Sequence, residues 1–599
     1  MRNEVPVDET WDLASLFEHV EQWKEAKSRI QQDLFPELMG FQGRLGDGPE
    51  LISLFFEKWK FATALMDKVF YYAIHSRSVN LLDKGASSLA SEARSLMDAF
   101  SSGTSFYLRE LKAQDPLRLS QWVDEDANKL QFLRPLLLQF AAEDGAAKDS
   151  VFDHPEAMAK SSRIKMLPVY NALLSEIRFE PALDSDHAEI PLSLSSIAAY
   201  LNSPDPEIRR TVWQSQADGL LRFQNSFASI YAAHLNQEYF RTELVNGMSN
   251  LSVALARRRI PEELFHGIIS AFHRNLGTFH RYFQVLCKYH RVEKLSFYDL
   301  TSPLSKHPSH VSFARAVEMI CEALSPFGHS YIETVRKGCF EDRWIDRALN
   351  HGKQSGSFSF SADGMLPFVF LSYADDVRSM SNLAHELGHS MHYVLTRESQ
   401  HRLYHSAGTL LDEVPSHVHQ TMLRCHLLAT ASDPDLRLAV IVDGLRLYFN
   451  YFFLIPILCE FELQAHSRIQ VSDSVSAASL SSILVQLFRA GFGPHVEIDE
   501  ARLGIQWARY NALFYSFSSF SYSTGIAVAD ALVPSLQAIR DPEAITRYMN
   551  LLKSGSTKPP LVALLECGVD LRSPDTIQSS YDQINFLIDQ LEVLLPVLE

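Results

Sequence analysis

Leu383-Ala384-His385-Glu386-Leu387-Gly388-His389-Ser390-Met391-His392 is the stretch on which the reading of this chain turns, because it sets H-E-x-x-H inside a helical pattern. Residues four apart on a helix point the same way, so His385 and His389 can bind one metal ion with Glu386 beside it. That arrangement lets a zinc ion turn a water into a nucleophile. Met380, Leu383, Ala384, Leu387, Met391, Val394 and Leu395 recur at three- and four-residue steps and predict a buried face. Asp375 and Asp376 precede that pattern, where acidic side chains suit the positive helix end. Gly388 inside a helix costs about 1 kcal/mol relative to Ala, so close approach of another element is expected there. His392 reads as a structural or supporting group.

Two histidines leave a catalytic zinc site one protein ligand short. Glu398 lies three turns further along the same helix, too far to bend back. Asp412-Glu413-Val414-Pro415-Ser416 opens a second apolar stripe through Leu411, Val414, Val418, Met422, Leu423 and Cys425. Pro415 fits the first turn of that helix or a kink in it. A carboxylate from it can reach across a helix–helix contact, but spacing does not choose between Asp412 and Glu413.

These residues resemble the active-site segments of the oligoendopeptidase F and thimet oligopeptidase family. Its third zinc ligand is a Glu in a V-E-A-P-S or A-E-V-A-S context, which implies Glu413, 28 residues after His385 as in the oligoendopeptidase F branch. Further resemblances run along nearly the whole chain: Trp11-Asp12-Leu13, Glu293 to Leu300, Phe461 to His466, Val496 to Glu500, Tyr522 to Ile526 and Leu552 to Ser556. The resemblance implies a mainly α, zincin-type peptidase with one Zn²⁺ per chain and a deep channel that admits short unstructured peptides. There is one departure. Where the family carries R-I-P-H-F-Y, this chain reads Arg509-Tyr510-Asn511-Ala512-Leu513-Phe514-Tyr515, with Ala512 in place of the His that helps hold the oxyanion. Tyr522 and Tyr515 are the nearest replacement donors, set against a purely structural reading in a buried aromatic helix with Trp507, Phe514, Phe517 and Phe520.

The 599-residue composition, 46% hydrophobic and 21% charged, is that of a globular protein with a large core. A formal charge of −17 argues against nucleic acid or an anionic membrane as main partner. The polar, acidic start lacks the apolar core of a secretory signal, and the apolar run from Leu447 to Cys459, interrupted by Asn450 and Pro456, is too short for the ~20 residues of a membrane span. Six scattered cysteines predict reduced thiols and a cytoplasmic location.

Helical periodicity dominates, with long helices expected over Leu51–Phe70 and Leu82–Leu108, a polar turn over Ala142–Ser150 and a strand excursion over Pro181–Leu192. The helix over Glu207–Gln216 is expected to be capped by Ser203-Pro204-Asp205-Pro206. A soft boundary near residue 200 divides an N-terminal helical domain (1–200) from a catalytic domain (201–599). Ser357-Phe358-Ser359-Phe360-Ser361 and the run Met365–Tyr373 predict a β-hairpin before the H-E-x-x-H helix, and Pro367 favours an edge strand for the second run. An edge strand there can pair with an extended peptide backbone.

The expected function is a zinc endopeptidase of short peptides, with His385, His389 and Glu413 as ligands and Glu386 as general base. Ala512 motivates an alternative, a zinc-retaining peptide-binding protein with weak turnover; a metal-dependent amidase is a third. Residue pattern leaves the oligomeric state and the cleavage preference open.

Overall fold

Pro49, in the first turn where its missing N–H costs nothing, opens helix α1 (Pro49–Ser78), whose buried face carries Ile52, Phe55, Phe56, Met66 and Val69. It packs on α2 (Lys84–Thr104), capped by the Asp83 carboxylate, which accepts the Ala86 N–H. This is the expected N-terminal bundle, although α2 stops at Thr104 and a separate helix covers Phe106–Lys112. The computed structural model describes residues 2–125, 127–146, 165–243, 248–305, 309–471, 474–538 and 541–598. The polar stretch read as a turn begins as helix, since Arg134–Ala146 is one element; its remainder lies outside the described residues. The strand excursion is a short antiparallel pair, β1 (Ala182–Leu183) and β2 (Glu189–Ile190). The next helix, Pro206–Leu221, is capped by Asp205, which accepts the Glu207 N–H.

A three-stranded sheet of β3 (Ile345–Asp346), β4 (Phe358–Phe360) and β5 (Phe368–Phe370) stands between the bundle and the C-terminal helices. Its order is β3-β5-β4, with β3 parallel and β4 antiparallel to β5. The edge position expected from Pro367 is therefore corrected: β5 is central. Pro367 lies one residue outside the ladder, so its missing N–H removes no strand hydrogen bond. The edge strands are β3 and β4. Phe358 stacks on Phe370 at 4.8 Å and faces Trp11 and His75, while the Ser359 hydroxyl meets that of Ser390 at 2.8 Å. One face of β4 thus belongs to the bundle and the other to the H-E-x-x-H helix.

That helix is α3 (Val377–Ser399), capped by Asp376 accepting the Ser379 N–H; Met380, Leu383, Ala384, Leu387 and Met391 are buried as their spacing requires. Helix α4 (Thr409–Thr430) crosses it, and Pro415 lies inside α4, two turns in, so the first-turn alternative fails. Helix α5 (Pro434–Phe449) continues through a π-helical turn, Asn450–Leu454, into α6 (Ile455–Gln470). Asn450 and Pro456 therefore do not break the apolar run, and the length argument against a span is corrected. Pro434–Gln470 is, among the described residues, the one helix long and apolar enough to cross a membrane, with half of its apolar window buried. Helices α7 (Phe520–Gln537) and α8 (Pro574–Leu598) close the rear. There the buried Asp530 carboxylate accepts hydrogen bonds from Tyr448 and Ser580 and faces Arg424 at 3.7 Å. All six cysteines are free.

His75 lies at the joint between bundle and sheet, ringed by Trp11, Tyr71, Phe358 and Phe368 at 4.5–5.8 Å, with no hydrogen-bond partner on either ring nitrogen. Burial pushes its pKa from 6.5 down to about 3. The unfolded chain binds that proton at a higher pH than the native one does, so the stabilisation is complete above the ordinary pKa of 6.5 and is lost as pH falls from there towards 3. Urea unfolding should therefore show stability declining across that acid limb, and His75→Phe, which keeps the ring packing without the titration, should make the decline shallower. An unchanged slope in the variant contradicts this account.

Candidate metal centre

Helices α3 and α4 meet backbone to backbone. A Cβ on Gly388 would lie 2.5 Å from the Pro415 carbonyl oxygen and 2.6 Å from Ser416 Cα, so only glycine permits the approach. The contact brings Glu413 against the two imidazoles. His385 Nε2 and His389 Nε2 are 3.2 Å apart, and Glu413 Oε2 lies 3.6 Å from the first and 3.8 Å from the second. Tetrahedral ligands at 2.0–2.2 Å from a zinc ion stand roughly 3.4 Å from one another. The donor set and its spacing fit a zinc ion.

Gln420, one turn beyond His417 on α4, orients the imidazoles. Its side-chain nitrogen donates to the Ser381 carbonyl and hydroxyl, which leaves Oε1 to accept from Nδ1 of both His385 and His417 at 3.0 Å. Each ring must then carry its proton on Nδ1 and present the Nε2 lone pair elsewhere, the usual way in which an outer partner fixes a ligand tautomer. His417 Nε2 is buried without a hydrogen-bond partner, 3.8 Å from Glu413 Oε2. Donor atoms of His385, Glu413 and His417 all lie within 4.8 Å of one another, so His417 joins the cluster although its sequence context did not single it out. The periodicity held the signal: Glu413, His417 and Gln420 fall at i, i+4 and i+7.

Glu386 is 2% exposed and its Oε2 has no hydrogen-bond partner. Burial pushes its carboxyl up to about 8, against the opposing effect of the Ser357 hydroxyl. Glu413 is also raised to about 8, by burial first and then by the Glu386 and Asp412 charges. Burial lowers His385 to about 4, and lowers His389 and His417 well below the ordinary imidazole value. The two carboxylates that spacing left equivalent differ in space: Glu413 Oε2 lies 3.6 and 3.8 Å from the His385 and His389 imidazoles, whereas Asp412 Oδ1 lies 3.9 Å from His392 Nδ1. His392 is buried and stands outside the cluster.

The cluster opens into a cavity of about 550 Å³ whose wall includes Ser357, Ser359, Tyr393, Tyr451, Tyr510 and Tyr522. The Tyr522 ring stacks on Tyr451 at 5.4 Å. Ala512 lines the same wall. Tyr515 does not: it is 56% exposed and borders a different cavity beside Arg258. The expected buried aromatic helix is replaced by two 3₁₀ turns, Ile505–Arg509 and Asn511–Tyr515. Trp507 and Phe514 in these turns, and Phe517 and Phe520 after them, are buried, while Tyr515 is exposed and Tyr522, on α7, lines the cavity. Tyr393, Tyr451 and Tyr510 were not legible as site residues, because nothing in their sequence separates them from the aromatic core.

Residues 199–583 match the model of peptidase family M3. The chain belongs to that family. Similarity to individual M3 relatives extends over nearly the full length: it is 25% identical to oligopeptidase PepF of Bacillus subtilis, covering 99% of this chain and 88% of that protein. It is 26% identical to group B oligopeptidase PepB of Streptococcus agalactiae, covering 98% and 97%. In fold it is similar to a solved structure from Chlamydophila abortus, with a TM-score of 0.82, 24% identity and 99% of each chain covered. It is also similar to oligoendopeptidase F from Enterococcus faecium, with a TM-score of 0.73 at 22% identity over 97% and 99%.

Because the α3–α4 distance rests on Gly388, Gly388→Ala should force the helices apart. The expected cost is about 1–3 kcal/mol of stability, together with weaker metal binding, read by thermal unfolding with and without a chelator. A variant with unchanged stability and metal content contradicts the constraint.

Proposed function

We propose that this M3 peptidase is a zinc-dependent endopeptidase that cleaves internal bonds of short, unstructured peptides, with His385, His389 and Glu413 as zinc ligands. By its family the chain is a metalloendopeptidase; the metal, the residue roles and the substrate size are the finer reading. The observation that carries it is the set of three donor atoms at 3.2, 3.6 and 3.8 Å with the buried Glu386 carboxyl on the same helix, all at the wall of one cavity.

When bound, zinc supplies Lewis-acid charge to the attacking water and the scissile carbonyl. Glu386 takes the proton of that water and returns it to the leaving amine. Its desolvation suits this exchange, since a carboxyl raised towards neutrality gives the proton back readily. Tyr522, across the cavity, donates its hydroxyl to the oxygen that gains charge. Edge strand β4, with Ser357 and Ser359 at the wall, pairs with the extended peptide backbone, which makes binding tolerant of side-chain identity. Six free cysteines fit a reducing, cytoplasmic setting. Ala512 at the cavity wall, where the family carries a His, supports a second reading of zinc-retaining peptide binding with slow turnover.

Incubation with a mixed peptide library, read by mass spectrometry, should give internal cleavages that a chelator abolishes; saturable binding without products favours the second reading. Elemental analysis should find about one zinc per chain, most of it lost in His389→Ala. Glu386→Gln should keep its zinc while turnover falls by at least about 100-fold; near-normal turnover in that zinc-loaded variant refutes the general-base role. Tyr522→Phe should lower kcat and kcat/KM together with little change in KM. Tyr515→Phe, outside the cavity, should change neither.

A further inference from the structure

A second cavity of about 410 Å³ adjoins the metal cavity and is lined by Arg378, Arg446 and Arg509, with Gln216, Asn450 and Ser355. No Asp or Glu is among its lining residues, although the chain as a whole carries a formal charge of −17. The two cavities adjoin along three segments of the chain. Asn450 lines both; Ser355 and Ser357, two residues apart before β4, line one each; so do the neighbours Arg509 and Tyr510.

The three guanidinium groups are unequally engaged. Arg446 pairs with Asp443 at 2.6 Å, and Arg509 donates to the neutral Gln506 at 2.7 Å. Arg378 makes no hydrogen bond or ion pair among the described residues. It lies in the first turn of α3, where the helix dipole opposes a cation, and its side chain is exposed to solvent. Asp376 and Asp443 line an adjoining cavity that shares Arg378 and Arg446, without reaching an ion pair with Arg378. Two arginines therefore face the 410 Å³ cavity with no carboxylate in contact. A guanidinium fork is the side chain best shaped to take a carboxylate through paired hydrogen bonds.

We infer that this cavity binds a carboxylate of the peptide substrate, with Arg378 and Arg509 as its main contacts, and so anchors the peptide at a fixed reach from the metal centre. This rests on the peptide-cleaving reading above. The carboxylate is either the free C-terminus or an acidic side chain, and the chemistry of recognition is the same for both. An anchored end makes the enzyme sensitive to where the carboxylate lies, not only to the residues around the cleaved bond.

The test uses three peptides of one neutral sequence: the free C-terminal acid, the C-terminal amide, and the amide with one internal Glu. Affinities are measured by calorimetry on zinc-loaded Glu386→Gln protein, and kcat/KM on the unaltered enzyme. The acid should bind about tenfold or more tightly than the plain amide. Arg378→Gln should reduce that ratio towards one while leaving the amide's affinity unchanged, and Arg378→Lys should restore part of it. Arg509→Gln provides a second, independent reduction. Tight binding of the internal-Glu amide identifies a side-chain carboxylate as a source; tight binding of the acid alone identifies the C-terminus. Binding of all three peptides with equal affinity, or an acid preference untouched by both arginine variants, overturns the inference and leaves the peptidase reading intact. Absence of both binding and cleavage for all three overturns the two together.

Discussion

Two glycines set the distance at which three helices meet, and the metal centre depends on that distance. A Cβ on Gly388 of α3 would strike the α4 backbone at Pro415 and Ser416; a Cβ on Gly525 of α7 would lie 2.8 Å from Glu413 Cβ. Helix α4 is thus held from two sides at the turn that carries Glu413, and the carboxylate has little freedom relative to His385 and His389. The Ser416 hydroxyl adds a local restraint, donating to the Glu413 carbonyl at 2.8 Å and to its carboxylate at 3.3 Å. The helix-propensity cost of Gly388 is offset by a contact that no side chain would allow.

Burial is the common cause of the electrostatics around that contact. Glu386, Glu413 and Asp412 are all raised, and His385, His389, His392 and His417 are all lowered, with desolvation the leading cause in every case. A bound divalent cation reverses that effect for the carboxylates, favouring their ionised form, and reinforces it for the imidazoles, which ligate as neutral rings. The buried Asp530 at the rear of the same helices is handled differently. Its carboxylate accepts hydrogen bonds from Tyr448 and Ser580 and has Arg424 nearby, a satisfied network of the kind that holds helices together. The contrast separates a site left with orphaned polar atoms, Glu386 Oε2 and His417 Nε2, from one that is closed.

The cavity wall owes its shape to the junction of α5 and α6. The π-helical turn at Asn450–Leu454 inserts a locally wider stretch into an otherwise continuous helix, a feature common at functional sites. Asn450, Tyr451 and Leu454 all reach the metal cavity from it. Asn450 also lines the arginine-lined cavity one turn from Arg446, so a single helical irregularity borders both spaces. Edge strand β4 completes the wall, with Ser357, Phe358 and Ser359 at the cavity and the Phe358 ring also packed on Trp11 and His75 of the N-terminal bundle.

The helical character, the N-terminal bundle, the two helices that carry the candidate ligands and their buried faces were legible in the sequence, because periodicity and capping are local properties. His385, Glu386 and His389 were legible for the same reason, four residues being one helical turn. The identity of the third candidate ligand came from resemblance; the residues alone left Asp412 and Glu413 equivalent. Only the crossing of α3 and α4 at Gly388 separates them, turning one carboxylate to the imidazoles and the other to His392. Strand order behaved likewise. Pro367 pointed to an edge, yet β5 became central, because the ladder begins one residue later and β3 adds to the side of β5 that the hairpin partner β4 leaves open. The family block favoured Tyr522 over Tyr515 as donor, and only the packing places Tyr522 at the metal cavity and leaves Tyr515 exposed beside another one. The arginine-lined cavity had no sequence signature at all. Arg378, Arg446 and Arg509 are far apart in the chain and converge only because α3, α5 and a 3₁₀ turn pack together, and such convergence is a property of tertiary packing that no local pattern records.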